Sequence, residues 1–194
     1  REAMRYLTVG ELLKEQSERL RLTLVTGQKA LTRRITTPEV NRPGLALSGF
    51  AEHFRAERIQ IIGRGEHHYC ANAGARGLAE NLDRMLSHAS LPCLVITRNL
   101  PSPGVLAWAC RKFKVPLLRT SLDTADFVGE LSAMLEDRLA PMVRVHGVLV
   151  DVYGLGVLIQ GEAGIGKSEC ALELVKRGHI LVSDDMVEIR QKHG

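Results

Sequence analysis

Eight residues in the last quarter of the sequence fit the phosphate-binding pattern G-x-x-x-x-G-K-[ST], the P-loop. They are Gly161, Glu162, Ala163, Gly164, Ile165, Gly166, Lys167 and Ser168. In such a loop, glycines let several backbone N–H groups point at phosphate oxygens, and the helix that follows adds its positive end. Lys167 supplies a charge to the β- and γ-phosphates, and the Ser168 hydroxyl is placed to bind Mg²⁺. A glycine-rich turn can fit the pattern by chance, but the strand and helix predicted around the loop favour nucleotide or polyphosphate binding.

Two adjacent carboxylates, Asp184 and Asp185, follow a predicted strand over residues 180–182. Ligands gather at the carboxyl ends of strands in an open parallel sheet, so we expect the acidic pair and the P-loop to meet over one Mg²⁺. One Asp would hold the metal, directly or through water, and the other would accept a proton from an attacking hydroxyl. The alternative is a solvated turn or capping pair, and the nearby P-loop makes us prefer the functional interpretation.

Histidines give weaker signals. His146 lies in a predicted strand ahead of the P-loop, where a packed or surface histidine is commoner than a catalytic one. His67, His68 and Cys70 lie close together, but no second pair of metal ligands has a suitable spacing. We therefore predict an ordinary loop over residues 65–70.

The segment over residues 57–118 alternates between strand-like and helix-like patterns. Strands are predicted at 58–63, 92–97 and 115–118, and helices at 78–89 and 102–113. At these lengths the alternation predicts a parallel sheet with right-handed crossovers. Nearer the start, Thr8 and Glu11 have capping-box spacing and predict a short helix.

A long amphipathic helix is predicted over residues 123–139, because Phe127, Leu131 and Leu135 recur every four residues. We take this helix as the connector between two domains. The first, residues 1–129, is an N-terminal α/β domain with a mostly parallel sheet. The second, residues 130–194, is the N-terminal part of a P-loop domain, so the fold class is α/β.

The second domain is predicted to open with two strands, over residues 143–150 and 156–160, of which the second is buried. A helix over 169–177 follows the P-loop. Because a mononucleotide-binding domain needs a longer sheet than these residues provide, we expect the chain to be a piece of a longer protein.

Composition limits the classes of function. The chain is 45% apolar and 25% charged, as in ordinary globular proteins, and no apolar run approaches the ~20 residues of a membrane span. Its net charge of +4 is spread among acidic residues, which argues against a nucleic-acid binder. The four cysteines fit no disulfide or metal spacing, and Cys93 and Cys110 are predicted core residues, so a cytoplasmic location is expected.

The order of these features resembles HPr kinase/phosphorylase, a bacterial family. The resemblance rests on His146-Gly147, the P-loop followed by Glu169, and Val182-Ser183-Asp184-Asp185. Arg42-Pro43-Gly44-Leu45, residues 57–63 and Leu100-Pro101 are similar to the N-terminal domain of that family. The resemblance extends over almost the whole chain.

The resemblance implies a cytoplasmic serine kinase whose protein substrate is HPr, the phosphocarrier of the sugar phosphotransferase system. ATP, or pyrophosphate in some members, would be the donor together with Mg²⁺. The family also runs the reverse phosphorolysis, in which inorganic phosphate attacks phosphoserine and releases pyrophosphate. Its kinase core is similar to phosphoenolpyruvate carboxykinase, and its members form hexamers. No nucleic-acid or membrane partner is expected.

The resemblance also implies roles for individual residues. The P-loop would hold the β- and γ-phosphates, with Lys167 stabilising the transferred charge and Ser168 and Asp184 at the metal. Asp185 would accept the serine proton, and His146 would orient the acidic pair; which Asp is the base stays open. In the family, a further metal-binding Glu and the helices that touch HPr follow the position of Gly194, so we expect activity from the complete protein.

Two other functions fit the same residues. A P-loop NTPase could use hydrolysis to drive a conformational switch, with no protein acceptor. A regulatory module could sense a small ligand with its N-terminal domain and use the nucleotide as an effector, without kinase activity. Phosphotransfer to a protein serine separates the kinase from both.

Overall fold

The computed structural model describes residues 5–191, which form two compact units, one ending at Leu139 and the other beginning at Ala140. The first unit contains β1 (Leu7–Thr8), α1 (Val9–Gln16), β2 (Leu22–Thr26), β3 (Arg34–Ile35), β4 (Val40–Asn41), α2 (Gly44–Leu47), β5 (Ile59–Ile62), α3 (Arg64–Asn72), α4 (Ala75–Leu86), β6 (Leu94–Ile96), α5 (Gly104–Lys112), β7 (Leu117–Thr120) and α6 (Thr124–Leu139). The second contains β8 (Met142–His146), β9 (Val148–Val152), β10 (Leu155–Ile159), α7 (Lys167–Lys176), β11 (Ile180–Ser183) and β12 (Met186–Arg190). None of the helices within residues 5–191 is long and apolar enough to cross a membrane.

The first unit is built on a five-stranded sheet in the order β2-β7-β6-β5-β4. Strands β4 to β7 run parallel, with Ile61 opposite Val95 and Val95 opposite Leu118, and β2 is an antiparallel edge strand. The mostly parallel sheet predicted from the alternating pattern is confirmed.

Alternate residues of these strands face two separate cores, because successive side chains of a strand point to opposite faces. Ile59 and Ile61 pack in one core with α1 and α6, whereas Ile62 packs in the other with α2, α3, α4 and α5. The unit therefore has three layers, with the sheet between two layers of helices.

Helix α6 confirms the long helix that was predicted from its four-residue repeat. Phe127, Leu131 and Leu135 are fully buried against the first unit's sheet. The predicted domain boundary after residue 129 lies within this helix, and the functional division of the chain at that point stays a prediction.

The loop predicted over residues 65–70 is wrong, because α3 covers these residues. Its start is stabilised by Glu66, whose carboxylate accepts a hydrogen bond from the N–H of Gly63 at 3.1 Å. A glycine at this position has no side chain with which to return a hydrogen bond, so half of the usual capping signal is missing from the sequence.

The second unit contains two antiparallel sheets, β10-β9-β11 and β12-β8. The single strand predicted over 143–150 is wrong, since Gly147 separates β8 from β9 and the two strands belong to different sheets. Helix α7 packs on one face of the first of these sheets, where Ala171 meets Val148 and Val150.

Strand β10 was predicted to be buried, and this is also wrong. Within the described residues 5–191 it pairs with β9 alone, at the edge of the sheet, and Val157 is 40% exposed. An apolar run predicts a strand, but its burial depends on which elements cover it in the fold.

Candidate phosphate-binding site

Strand β9 brings the two predicted halves of the site to one edge of its sheet. Both β10 and β11 run antiparallel to β9, so they run in the same direction and end at the same edge. Ile159, just before the P-loop, lies opposite Val148, and Ser183, just before the acidic pair, lies opposite Leu149. We expected a parallel sheet here. The strands are antiparallel, but the carboxyl ends of β10 and β11 lie at the same edge of the sheet, on either side of β9.

The P-loop curls between β10 and α7 through glycines that no larger residue replaces easily. Gly164 and Gly166 have φ values of 79° and 100°, which lie in the left-handed region that favours glycine. At Gly161, a Cβ atom would lie 2.9 Å from Cγ2 of Ile165. The loop leads directly into α7, whose first residue is Lys167, so its backbone lies at the positive end of a helix.

The Lys167 side chain is hydrogen-bonded to the backbone of the P-loop. Its Nζ donates to the carbonyl oxygens of Gly161 at 2.8 Å and Glu162 at 2.7 Å. A lysine ammonium has three donors, so one remains for a phosphate oxygen. These two hydrogen bonds hold the positive charge against the loop.

The acidic pair lies in the turn between β11 and β12. Asp185 has φ 73°, a left-handed conformation that Asp tolerates better than most residues. Its carbonyl oxygen accepts a hydrogen bond from the N–H of Gly147 at 3.1 Å. The turn is thereby fixed to the junction between β8 and β9.

His146 is the last residue of β8 and lies opposite Met186, the residue after the acidic pair. Its Nδ1 is 3.8 Å from Oδ1 of Asp185. Both side chains are open to solvent, at 77% exposed for His146 and 91% for Asp185. The distance is too long for a hydrogen bond, so the two side chains are neighbours without a direct bond.

Two residues of this edge were not predicted to have structural roles. Gly147 is buried and lies against β10, where an added Cβ would be 2.7 Å from the carbonyl oxygen of Ile159. Gln160 extends Nε2 to within 3.5 Å of the carbonyl oxygen of His146. A glycine inside a strand-like run is a signal of close backbone approach, and it could have identified Gly147.

Two side-chain oxygens near this edge are of the type that magnesium binds in proteins. No group of three or more His, Cys, Asp or Glu side chains able to hold a metal occurs within residues 5–191. Magnesium in phosphate-transfer sites takes one or two protein oxygens and completes its shell with phosphates and waters. Ser168 and Asp184 are both exposed and carry suitable oxygens.

Comparison with protein families gives two adjoining matches. The family model described as "HPr Serine kinase N terminus" matches residues 7–135. The model described as "HPr Serine kinase C-terminal domain" matches residues 137–194.

Curated relatives agree with these matches. A protein from Alkaliphilus metalliredigens named HPr kinase/phosphorylase is 44% identical over 97% of this chain and 59% of its own length. Proteins of the same name from Brevibacillus brevis and Bacillus mycoides are 43% and 44% identical, over 98% and 92% of this chain. The chain spans 58% to 60% of the length of these three relatives.

Proposed function

The chain belongs to the HPr serine kinase family, and we propose that the complete protein transfers the γ-phosphoryl group of ATP to a serine of HPr. It would also catalyse the reverse phosphorolysis of phosphoserine-HPr. The observation that carries this proposal is the common edge of the β10-β9-β11 sheet, where β10 leads into the P-loop and β11 leads into the acidic pair. His146 lies 3.8 Å from Asp185 of that pair.

In the forward direction, the serine hydroxyl oxygen attacks the γ-phosphorus, its proton passes to Asp185, and ADP leaves. Serine is a poor nucleophile at neutral pH, so a positioned carboxylate assists as the proton is lost. His146, 3.8 Å away, orients this carboxylate.

In the reverse direction, an oxygen of inorganic phosphate attacks the phosphorus of phosphoserine. Asp185 returns its proton to the departing serine oxygen, and pyrophosphate is released from the P-loop. The same cradle therefore serves both directions, since it binds β- and γ-phosphates in one case and pyrophosphate in the other. Pyrophosphate could equally replace ATP as the donor.

The P-loop backbone and Lys167 stabilise the charge of the transferred phosphoryl group, which is the main catalytic contribution in phosphoryl transfer. Ser168 and Asp184 would hold Mg²⁺ beside the phosphates. When bound, Mg²⁺ neutralises charge on the phosphate oxygens.

The wider context of the proposal follows from family membership. HPr is the proposed partner, the cytoplasm the proposed location, and a hexamer the proposed assembly. The proposed kinase core is similar to that of phosphoenolpyruvate carboxykinase.

Mass spectrometry of HPr after incubation with the complete protein and MgATP tests the proposal. We expect a gain of one phosphate on a serine, and its loss when inorganic phosphate is added. The 194-residue chain is assayed in parallel, to show whether the remaining part of the complete protein is required. ATP hydrolysis with no phosphate on HPr would instead support the NTPase switch, and nucleotide binding without turnover would support the sensor module.

A further inference from the structure

A second cavity with anion-binding chemistry lies in the first unit, at the carboxyl edge of its parallel strands. Its volume is about 440 Å³, and its lining includes Arg42, Arg64, Gly65, Arg98 and Thr124. Arg42 follows β4, Arg64 lies just after β5, and Arg98 lies just after β6. Because these strands are parallel, the three arginines gather at one edge, which is where open α/β sheets bind ligands.

The arginines give this cavity an excess of positive charge. Arg42 is held by two hydrogen bonds to the Glu66 carboxylate, at 2.9 and 3.1 Å, and Arg98 lies 3.6 Å from Asp123. Arg64 is exposed and makes no ion pair with any residue in the described part of the chain. Three guanidinium groups therefore face two carboxylates, and neither carboxylate is among the described residues that line the cavity.

The loop that carries Arg98 has an unusual backbone. Arg98 and Asn99 are consecutive non-glycine residues with positive φ, at 62° and 53°. Their N–H groups donate to the carbonyl oxygens of Leu122 and Thr120, both at 2.8 Å, and these bonds fix the strained conformation. Such strain costs of order 1–3 kcal/mol per residue and clusters where a ligand is held.

Thr97 and Gly63 lie next to Thr124 and Arg42, which line the cavity. Thr97 is fully buried at the end of β6, and its hydroxyl is 2.7 Å from that of Thr124 at the start of α6. At Gly63, an added Cβ would lie 3.1 Å from Nη2 of Arg42 and 3.3 Å from the Thr124 hydroxyl. The absence of a side chain at Gly63 lets both groups lie close to its backbone.

From these observations we propose that this cavity binds a small organic phosphate monoester, with its phosphate group between Arg64 and Arg98 and Arg42 at the rim. The planar fork of a guanidinium matches two phosphate oxygens, which favours phosphate over a monovalent anion. The cavity is larger than one phosphate group requires and falls within the size range of small-molecule sites. The proposal concerns the first unit alone and does not depend on the kinase activity.

Amide NMR titration of the 194-residue chain with ribose 5-phosphate tests this site. We expect shifts of the amides at 63–65, 98–99 and 124–125, separate from any shifts at the P-loop. Arg64→Gln and Arg98→Gln should each weaken binding at these amides about tenfold, as the loss of a charge-assisted pair predicts. Arg55→Gln is the matched control, because Arg55 is an exposed arginine that precedes β5 and so lies towards the opposite edge of the sheet.

Two further titrations distinguish amide shifts caused by binding in the cavity from shifts caused by binding at the P-loop. Lys167→Ala should remove P-loop shifts and leave those of the cavity, and ribose without phosphate should give no cavity shifts. Inorganic phosphate binding as tightly as the ester would overturn the organic part of the proposal. Absence of cavity shifts in the unaltered chain, or equal shifts in the Arg64, Arg98 and Arg55 variants, would overturn the site itself; the spectra also report whether each variant is folded.

Discussion

Lys167 is the residue on which phosphate binding is expected to depend most. Its ammonium group is anchored to the carbonyl oxygens of Gly161 and Glu162, so its charge stays over the loop. We predict that Lys167→Ala weakens ATP binding at least tenfold and abolishes transfer to HPr in the complete protein. Isothermal titration with MgATP measures the first effect.

Lys176→Ala is the matched control for that experiment. Lys176 is the last residue of the same helix, and its Nζ pairs with Glu173 at 2.7 Å on the exposed surface. Unchanged ATP affinity is expected for this variant, because Lys176 lies at the end of α7 opposite to the P-loop. Loss of its exposed ion pair should also have little effect on stability. Equal losses in both variants would contradict the P-loop assignment.

Asp185 and Asp184 are adjacent, but substitutions at the two positions are expected to have different effects on catalysis. Asp185 is fixed by its left-handed backbone and by the Gly147 N–H, next to His146. We predict that Asp185→Asn keeps ATP affinity and loses transfer by at least about a hundredfold, the usual scale of general-base catalysis. Asp184→Asn should instead raise the magnesium concentration needed for half-maximal rate. Steady-state rates at several magnesium concentrations compare the two variants, and identical profiles would leave the base unassigned.

At the scale of secondary-structure elements, the junction between β8 and β9 leaves no space for a side chain at Gly147. A Cβ on Gly147 would lie 2.7 Å from the carbonyl oxygen of Ile159, which is backbone and cannot rotate away. We predict that Gly147→Ala destabilises the second unit by about 1–3 kcal/mol, as overpacking does. Urea unfolding can be monitored by the amide NMR signals of residues in β9 and α7, which report on the second unit alone.

Gly156→Ala provides the comparison for that variant. Gly156 lies in β10, and its added Cβ would be in ordinary contact with Cδ1 of Leu149 at 3.7 Å. The unfolding midpoint should therefore stay close to that of the unaltered chain. A midpoint for Gly147→Ala equal to that of Gly156→Ala would show that the junction can relax.

Arg33 joins several segments of the first unit through its guanidinium group. It donates to the carbonyl oxygens of Lys114, Leu91 and Phe113 at 2.9, 2.6 and 3.2 Å, and burial lowers its pKa. We predict that Arg33→Ala lowers the free energy of unfolding by about 1–3 kcal/mol, since the part-buried carbonyls of Leu91 and Phe113 lose their donors. Arg33→Lys should recover only part of this loss, because an ammonium lacks the planar fork.

Thermal or urea denaturation measures the effect, with Arg34→Ala as the control. Arg34 is exposed and lies over the ring of Tyr6, 4.1 Å from its centroid. A loss below about 1 kcal/mol is expected for that exposed contact. An Arg33→Ala loss no larger than the control's would contradict the bridging role.

Local signals predicted most helices and parallel strands, and the failures have physical causes. Thr8 and Glu11 form the capping box expected from their spacing, since both reciprocal hydrogen bonds are present. The start of α3 was missed because Gly63 provides only a backbone N–H for its cap. The exposure of Val157 was missed because an apolar run does not reveal the position of its strand in the sheet.

The residues of the candidate site could be identified from the sequence, but the strand order and backbone contacts that position them could not. The P-loop pattern and the Asp184-Asp185 pair follow predicted strands, and this placed both at strand ends. The P-loop and the acidic pair lie at the same edge because β10 and β11 flank β9 in the sheet. The hydrogen bond between the Gly147 N–H and the Asp185 carbonyl oxygen also fixes the acidic turn there. Strand order and backbone contacts of this kind are tertiary features that periodicity does not encode.

At the scale of the whole molecule, the cysteines divide by unit. Cys70, Cys93 and Cys110 are buried in the first unit, and Cys170 is exposed on α7 in the second. Burial raises the pKa of Cys70 to about 11 and that of Cys110 to about 12, and it raises the pKa of Cys93 well above its ordinary range. These three are neutral thiols at neutral pH, and the thiolate is the reactive form.

We therefore predict that iodoacetamide alkylates Cys170 alone in the folded chain and all four cysteines in denaturant. Peptide mass spectrometry after a short reaction counts the modified sites. Cys170→Ser should then give no modification under native conditions. Early alkylation of Cys110 in the folded chain would contradict the packing of the first unit.

Strand β9 separates the P-loop strand from the strand that carries the acidic pair, so the spacing of the two depends on its registers with both. Side chains along β9 can change while those registers persist. The insertion or deletion of one residue would reverse which face each following side chain occupies and would shift one partner relative to the other. For this strand, the number of residues is therefore a stricter requirement than their identity, and a single-codon insertion would do more harm than most substitutions.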